Sequence, residues 1–150
     1  MKQYVMGIDQ GTTGTRAIIF DRDSSIIGSA YSEFGQIYPR PGWVEHNPLE
    51  IWSVTLKVIE QALKNAGLSS GDLAAVGIAN QRETTTFWNR YTGEPAGNSV
   101  VWQDRRSLPI VENMLAQDGS KIVERTGMVL IPNIAAAKIR WALDSQPGIR

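Results

Sequence analysis

The sequence predicts an α/β domain: an antiparallel β-meander continued by a parallel strand, with helices packed on the sheet. Three observations predict it. Residues 4–8, 15–20 and 26–34 are apolar runs joined by connections too short for a crossover, so neighbouring runs must be antiparallel. A long amphipathic segment follows, with Ile51, Val54, Val58, Ile59, Ala62, Leu63 and Ala66 at helical spacing on one broad face. That helix leads into a second apolar strand, residues 73–79. A strand–helix–strand crossover makes it a candidate parallel neighbour of the first strand.

The elements follow in order. Asp21-Arg22-Asp23-Ser24 has turn composition. Residues 35–46 carry Pro39, Pro41 and Gly42 and are expected to form a loop, long enough to cover a site. Asn47 suits an N-cap, Pro48 suits the first helical position, and Glu50 completes a capping-box spacing. Gly67 is placed to stop the helix. Thr84 to Trp88 and Asn98 to Trp102 read as strands around a turn at Asn89-Arg90-Tyr91-Thr92-Gly93. Short helices are expected over 110–116 and 122–125, separated at Asp118-Gly119. Ile134 to Leu143 reads as an amphipathic helix packed through Ile134, Ala137, Ile139, Trp141 and Ala142. The arrangement is compatible with an RNase H-like, actin-like ATPase domain.

Composition narrows the function. The 150 residues suffice for one domain with a real core. Net charge is zero and no basic stripe appears, which argues against nucleic acid or an anionic membrane surface as the main partner. No cysteine is present, so disulfides, thiolate catalysis and zinc–thiolate sites are excluded. His46 is the only histidine, which makes a His-based metal site or a Ser-His-Asp triad a poor fit. No apolar run reaches membrane-spanning length, and no secretory signal opens the chain, so a cytoplasmic location is expected.

The chemistry concentrates in three blocks. The first is Gly7-Ile8-Asp9-Gln10-Gly11-Thr12-Thr13-Gly14-Thr15-Arg16, the tip of the first hairpin. Gly11 and Gly14 suit a tight turn that backbone and ligand can approach closely. Thr12, Thr13 and Thr15 offer hydroxyls to phosphate oxygens beside the backbone N–H groups. Asp9 offers a divalent cation a hard oxygen. The same block is also compatible with an ordinary hairpin loop. The second is Asn80-Gln81-Arg82-Glu83, beyond the carboxyl end of a candidate parallel strand, where ligands of open α/β sheets gather. Arg82 donates and Glu83 accepts, a pairing that suits vicinal hydroxyls. The third is Val101-Trp102-Gln103-Asp104-Arg105-Arg106. Trp102 offers a flat apolar wall to a polyol's carbons, Gln103 and Asp104 offer polar contacts, and Asp104 is alternatively a cap for the following helix. Trp52, Trp88 and Trp141 read as packing residues; Tyr38 reads as either lid or core.

These blocks, with Gln36 to Pro48 and Gly77 to Thr85, resemble the N-terminal part of the glycerol kinases of the FGGY carbohydrate kinase family, in the family's order and over nearly the whole chain. Asn80-Gln81-Arg82-Glu83-Thr84-Thr85 is the most specific block. The resemblance implies ATP-dependent phosphorylation of glycerol to sn-glycerol 3-phosphate with Mg²⁺. It implies that Thr12, Thr13, Gly14 and Arg16 lie at the nucleotide phosphates and that Asp9 helps hold the metal. It implies that Arg82, Glu83, Trp102 and Asn133 face the polyol, and that the complete enzyme is a homo-oligomer.

Two residues depart from the family pattern. Asn133 follows Ile131-Pro132 where the family has a glycerol-contacting Tyr, and Gly14 stands where the family often has Ser. The family's catalytic base and adenine pocket are expected beyond Arg150. The chain is therefore expected to be a truncated piece, the N-terminal portion of the first kinase domain, inactive without the rest. Alternatives are a kinase for another polyol or ketose, an actin-like or Hsp70-like ATPase segment, and a non-catalytic assembly fragment.

Overall fold

In the computed structural model, residues 3–149 are described. The strands are β1 (Tyr4–Gln10), β2 (Gly14–Phe20), β3 (Ile26–Glu33), β4 (Glu45–His46), β5 (Leu73–Asn80) and β6 (Ser99–Val100). The helices are α1 (Pro48–Ala66), α2 (Leu108–Thr126) and α3 (Ala135–Ser145). The chain divides into two units. One joins the segment through Gly35 to Leu49–Gln81; the other joins Gln36–Pro48 to the segment from Arg82 onward.

The first unit is a sheet of order β3-β2-β1-β5, antiparallel from β3 to β1 and parallel between β1 and β5. Both the meander and the parallel strand follow the sequence expectation. Alternation places Met6 and Ile8 of β1 and Ala17 and Ile19 of β2 on one face, all buried. Val58 and Ala62 of α1 bury against them, with Val54, Ile59, Leu63 and Ala66 alongside. Full burial of a Met, Ile or Val side chain such as Met6, Ile19 or Val58 contributes roughly 1.5–3 kcal/mol. Gly67 ends α1 at φ 66°, the left-handed conformation that favours glycine. The turn after β2 is held by Asp21 Oδ1, which accepts from the N–H groups of Asp23 and Ser25. β5 is an edge strand, and its Val76 and Ile78 remain 51% and 71% exposed although they pair in register with the buried Met6 and Ile8.

The second unit is less regular than the sequence suggested. The expected strand Thr84 to Trp88 makes only isolated bridges, Thr85 with Val100 and Trp88 with Pro95. The expected strand Asn98 to Trp102 contracts to β6, which pairs with β4 inside the segment expected to be a loop. The two short helices are one element, α2, but it breaks at the predicted place: Asp118 has φ −137°. Its core gathers Val111, Leu130, Ile134 and Ala137. Trp52 in the first unit and Trp88 in the second are 60% and 64% exposed rather than packed. Tyr38 is exposed too, which rules out its core reading. Trp141 does pack, edge-on against Trp43 at 5.5 Å.

Candidate functional site

In the first unit the hairpin tip is pinned through Gly11. Its N–H donates to Gly14 O at 3.0 Å, and its own carbonyl accepts from the side-chain amides of Gln10 and Gln81 at 3.0 and 3.2 Å. Gln81 was not singled out from the sequence, yet it ties the end of β5 to the hairpin. The glycines act differently from the expectation. Neither Gly11 nor Gly14 has a positive φ. Gly14 is required instead by close approach: a Cβ there would lie 2.6 Å from Ser32 O and 2.7 Å from the Tyr31 hydroxyl.

The register sets the side chains below the tip. Asp9 is paired with Arg16, and Arg16 with Tyr31, so these three form a row across the face opposite α1. Asp9 and Arg16 are both exposed and form no ion pair with each other among the described residues. The Arg16 guanidinium lies over the Tyr31 ring, 5.3 Å from its centroid. Thr13 is exposed and Thr12 half-buried. Thr15 corrects the sequence reading: it is fully buried on the α1 side, and its hydroxyl has no hydrogen-bond partner among the described residues. It is not available to a phosphate. No cluster of three or more His, Cys, Asp or Glu occurs among the described residues. Mg²⁺ is characteristically held by one or two carboxylates together with substrate phosphates, so the lone exposed Asp9 beside the hairpin fits that ion.

In the second unit Glu83 is the strained residue, with φ 66°. Non-glycine residues in this region cluster at functional positions. Its Oε2 accepts from Ala135 N–H at 2.5 Å, at the N-terminus of α3, where a negative charge is favoured. Its Oε1 has no partner among the described residues. Arg82 is exposed and forms no bond to Glu83 among the described residues. The ordinary solvated Arg–Glu pair is therefore not what forms. Trp102 is 38% exposed, and its N–H donates to Thr84 Oγ1 at 3.2 Å.

Lys138 was missed from the sequence. It is fully buried, and its ammonium donates to the carbonyls of Pro132 at 3.2 Å and of Asn133. Ser107 Oγ also donates to Pro132 O, at 3.2 Å. Lys138 thus fixes the backbone at Asn133. Burial pulls the ammonium down to about 8, opposed in part by the Glu83 and Asp104 carboxylates. The signal was present in the sequence: Lys138 occupies the apolar stripe of α3 with Ile134, Ala137, Trp141 and Ala142, whereas Ile139, expected in the core, is exposed.

Asp104 is a second correction. It is buried and neither contacts a ligand surface nor caps α2, which starts at Leu108 after Ser107. Its carboxylate accepts from Val44 N–H at 2.7 Å and from the backbone and side chain of Arg106. Arg106 also reaches Glu45 at 2.7 Å and lies 3.7 Å from the Trp43 ring centroid. His46 is buried, with Gln36 Oε1 at 2.8 Å from its Nε2, a partner the sequence did not reveal. A surface cavity of about 690 Å³ along residues 87–96 contains none of the expected site residues.

Sheet order and helices define an RNase H-like, actin-like ATPase domain. The described part of the chain superimposes on the crystal structure of Plasmodium falciparum glycerol kinase with ADP, TM-score 0.87, at 31% identity over 97% of this chain and 29% of that one. A xylulose kinase from Brucella ovis shares the fold with TM-score 0.89 at 23% identity, over 97% of this chain and 30% of that one. Residues 4–150 match the N-terminal domain of the FGGY family of carbohydrate kinases, and the chain belongs to that family. Curated relatives include glycerol kinases of Borrelia duttonii, 53% identical over 95% of this chain, and Deinococcus radiodurans, 48% identical over 99%. The chain spans 29% and 30% of the length of these two relatives.

Proposed function

We propose that this chain is the N-terminal portion of the first domain of an ATP-dependent glycerol kinase, which makes sn-glycerol 3-phosphate when complete. Thr12, Thr13, Gly14 and Arg16 receive the nucleotide phosphates, and Asp9 helps hold Mg²⁺. Bound Mg²⁺ supplies neutralisation of phosphate charge. Arg82 and Glu83 hydrogen-bond glycerol hydroxyls, Trp102 covers its carbons, and Asn133 completes that corner. The base that accepts the hydroxyl proton and the adenine pocket come from the rest of the kinase chain, so the 150 residues alone are inactive. The complete enzyme works in the cytoplasm as a homo-oligomer.

The observation that carries the polyol reading is the Arg82-Glu83 loop: a strained Glu with one oxygen docked on α3 and the other without a partner among the described residues, beside an exposed Arg. An acceptor next to a fork of donors matches a group that both donates and accepts. Arg82→Ala in the full-length kinase should weaken glycerol binding by about 2–3 kcal/mol, the scale of charged hydrogen bonds. Unchanged glycerol affinity by calorimetry would falsify this assignment. Asn133 favours one second reading, a kinase for another polyol or ketose, because it is shorter than Tyr and lacks the ring. A substrate panel decides between them: a clear preference for a larger sugar would replace glycerol.

A further inference from the structure

We propose that the Tyr31 hydroxyl is a phosphate donor of the hairpin, standing in for the side chain that Gly14 lacks. The inference rests on the reading of the hairpin as a nucleotide-phosphate site. Tyr31 lies on β3, two strands from Asp9, in the row Asp9–Arg16–Tyr31. Adjacent strands are about 4.8 Å apart, so a tyrosine side chain spans the distance back to the neighbouring strand at the hairpin base. It does so here: its hydroxyl lies 2.7 Å and its Cζ 2.8 Å from where a Cβ of residue 14 would be. Gly14 and Tyr31 are thus mutually dependent. Any side chain at position 14 would collide with the phenol and with Ser32 O.

Arg16 holds the ring by lying over its face at 5.3 Å, a cation–π arrangement. A phenylalanine would satisfy that stacking equally well. The hydroxyl adds a donor at the base of the phosphate turn, on the same face as the Arg16 guanidinium, and it forms no hydrogen bond among the described residues. Tyr31 is 48% exposed, open to a ligand on that face. A phenol donates to a phosphate oxygen as a serine hydroxyl does, but from the adjacent strand. The ligand class is a nucleoside di- or triphosphate, bound through its phosphates.

Tyr31→Phe in the full-length kinase isolates the hydroxyl, because the ring and its contact with Arg16 remain. Titration with ADP in the presence of Mg²⁺ should show affinity falling about tenfold, the scale of a hydrogen bond to a charged group. Adenosine affinity, the KM for glycerol and the melting temperature should stay at their wild-type values. ADP affinity within twofold of wild type, with Arg16→Gln still weakening ADP, overturns the role of Tyr31 and leaves the hairpin reading standing. ADP affinity unchanged in both variants overturns the hairpin reading with it. Equal losses for ADP and adenosine also defeat the proposal, since the effect would then not act through phosphate.

Discussion

The two units hold their candidate groups by different physics. In the first, a β-ladder fixes Asp9, Arg16 and Tyr31 in one row, and backbone bonding pins the hairpin tip at Gly11. In the second, short loops are fixed by buried charge: Arg106 with Asp104 and Glu45, and Lys138 with the carbonyls of Pro132 and Asn133. A ladder divides its stabilisation over many backbone bonds, so one side chain is seldom decisive. A buried charge is different, because removing its partner leaves an uncompensated ion.

The contrast is broken most severely at Arg106. Arg106→Met leaves the Asp104 carboxylate buried without its cation, and should lower unfolding free energy by about 3–5 kcal/mol. Urea unfolding measures this, and a loss below about 1 kcal/mol would mean that the network is dispensable. Lys138→Met comes next. It frees the backbone at Asn133, and should raise the KM for glycerol about tenfold with the KM for ATP unchanged, as expected for a lost charged hydrogen bond. Equal changes in both constants would point to general unfolding instead.

The same variant has a pH signature. Burial holds Lys138 at about 8 against an ordinary 10.5, so between those values the unfolded chain binds a proton that the folded chain has released. Stability at this position therefore rises as pH climbs from about 8 to 10.5. Comparing wild type with Lys138→Met across that window should show the rise only in wild type. At neutral pH the lysine is charged despite burial, which opposes folding. Its three carbonyl contacts on 132–134 are what that charge secures.

The smallest effect belongs to the ladder. Thr15→Val removes a buried hydroxyl that has no partner among the described residues, so stability should change by less than about 0.5 kcal/mol or increase. A loss above about 1.5 kcal/mol would reveal a bond the hydroxyl makes in solution.

The same division decides what was legible in the sequence. Periodicity and turn chemistry located β1, β2, β3, α1 and β5 because regular elements impose regular burial. The β-prone composition of Thr84 to Trp88 was misleading. It reports partial burial in a loop, where Thr85 and Trp88 each touch a partner once. The Asp118 kink was legible because Asp-Gly disfavours helix, although α2 resumes beyond it. Among the candidate groups, those the sequence could name sit in local motifs: Asp9, Thr12, Thr13, Arg82, Glu83 and Trp102. Tyr31 escaped because its partner lies on another segment, whereas the place of Lys138 in the apolar stripe of α3 was there to be read. Tyr31 meets Gly14 across a strand pair, and no spacing in the chain encodes that meeting.

The exposed strand β5 carries a further consequence, for association rather than chemistry. Leu73-Ala74-Ala75-Val76-Gly77-Ile78-Ala79-Asn80 contains no charge and no proline, the usual guards of a sheet edge. It borders the sheet on one side only, with Val76 and Ile78 open to solvent. Such an edge is a template for any extended apolar segment that meets it. At high concentration the 150-residue chain should therefore add strands from its own copies, so that its solubility depends on what caps this edge.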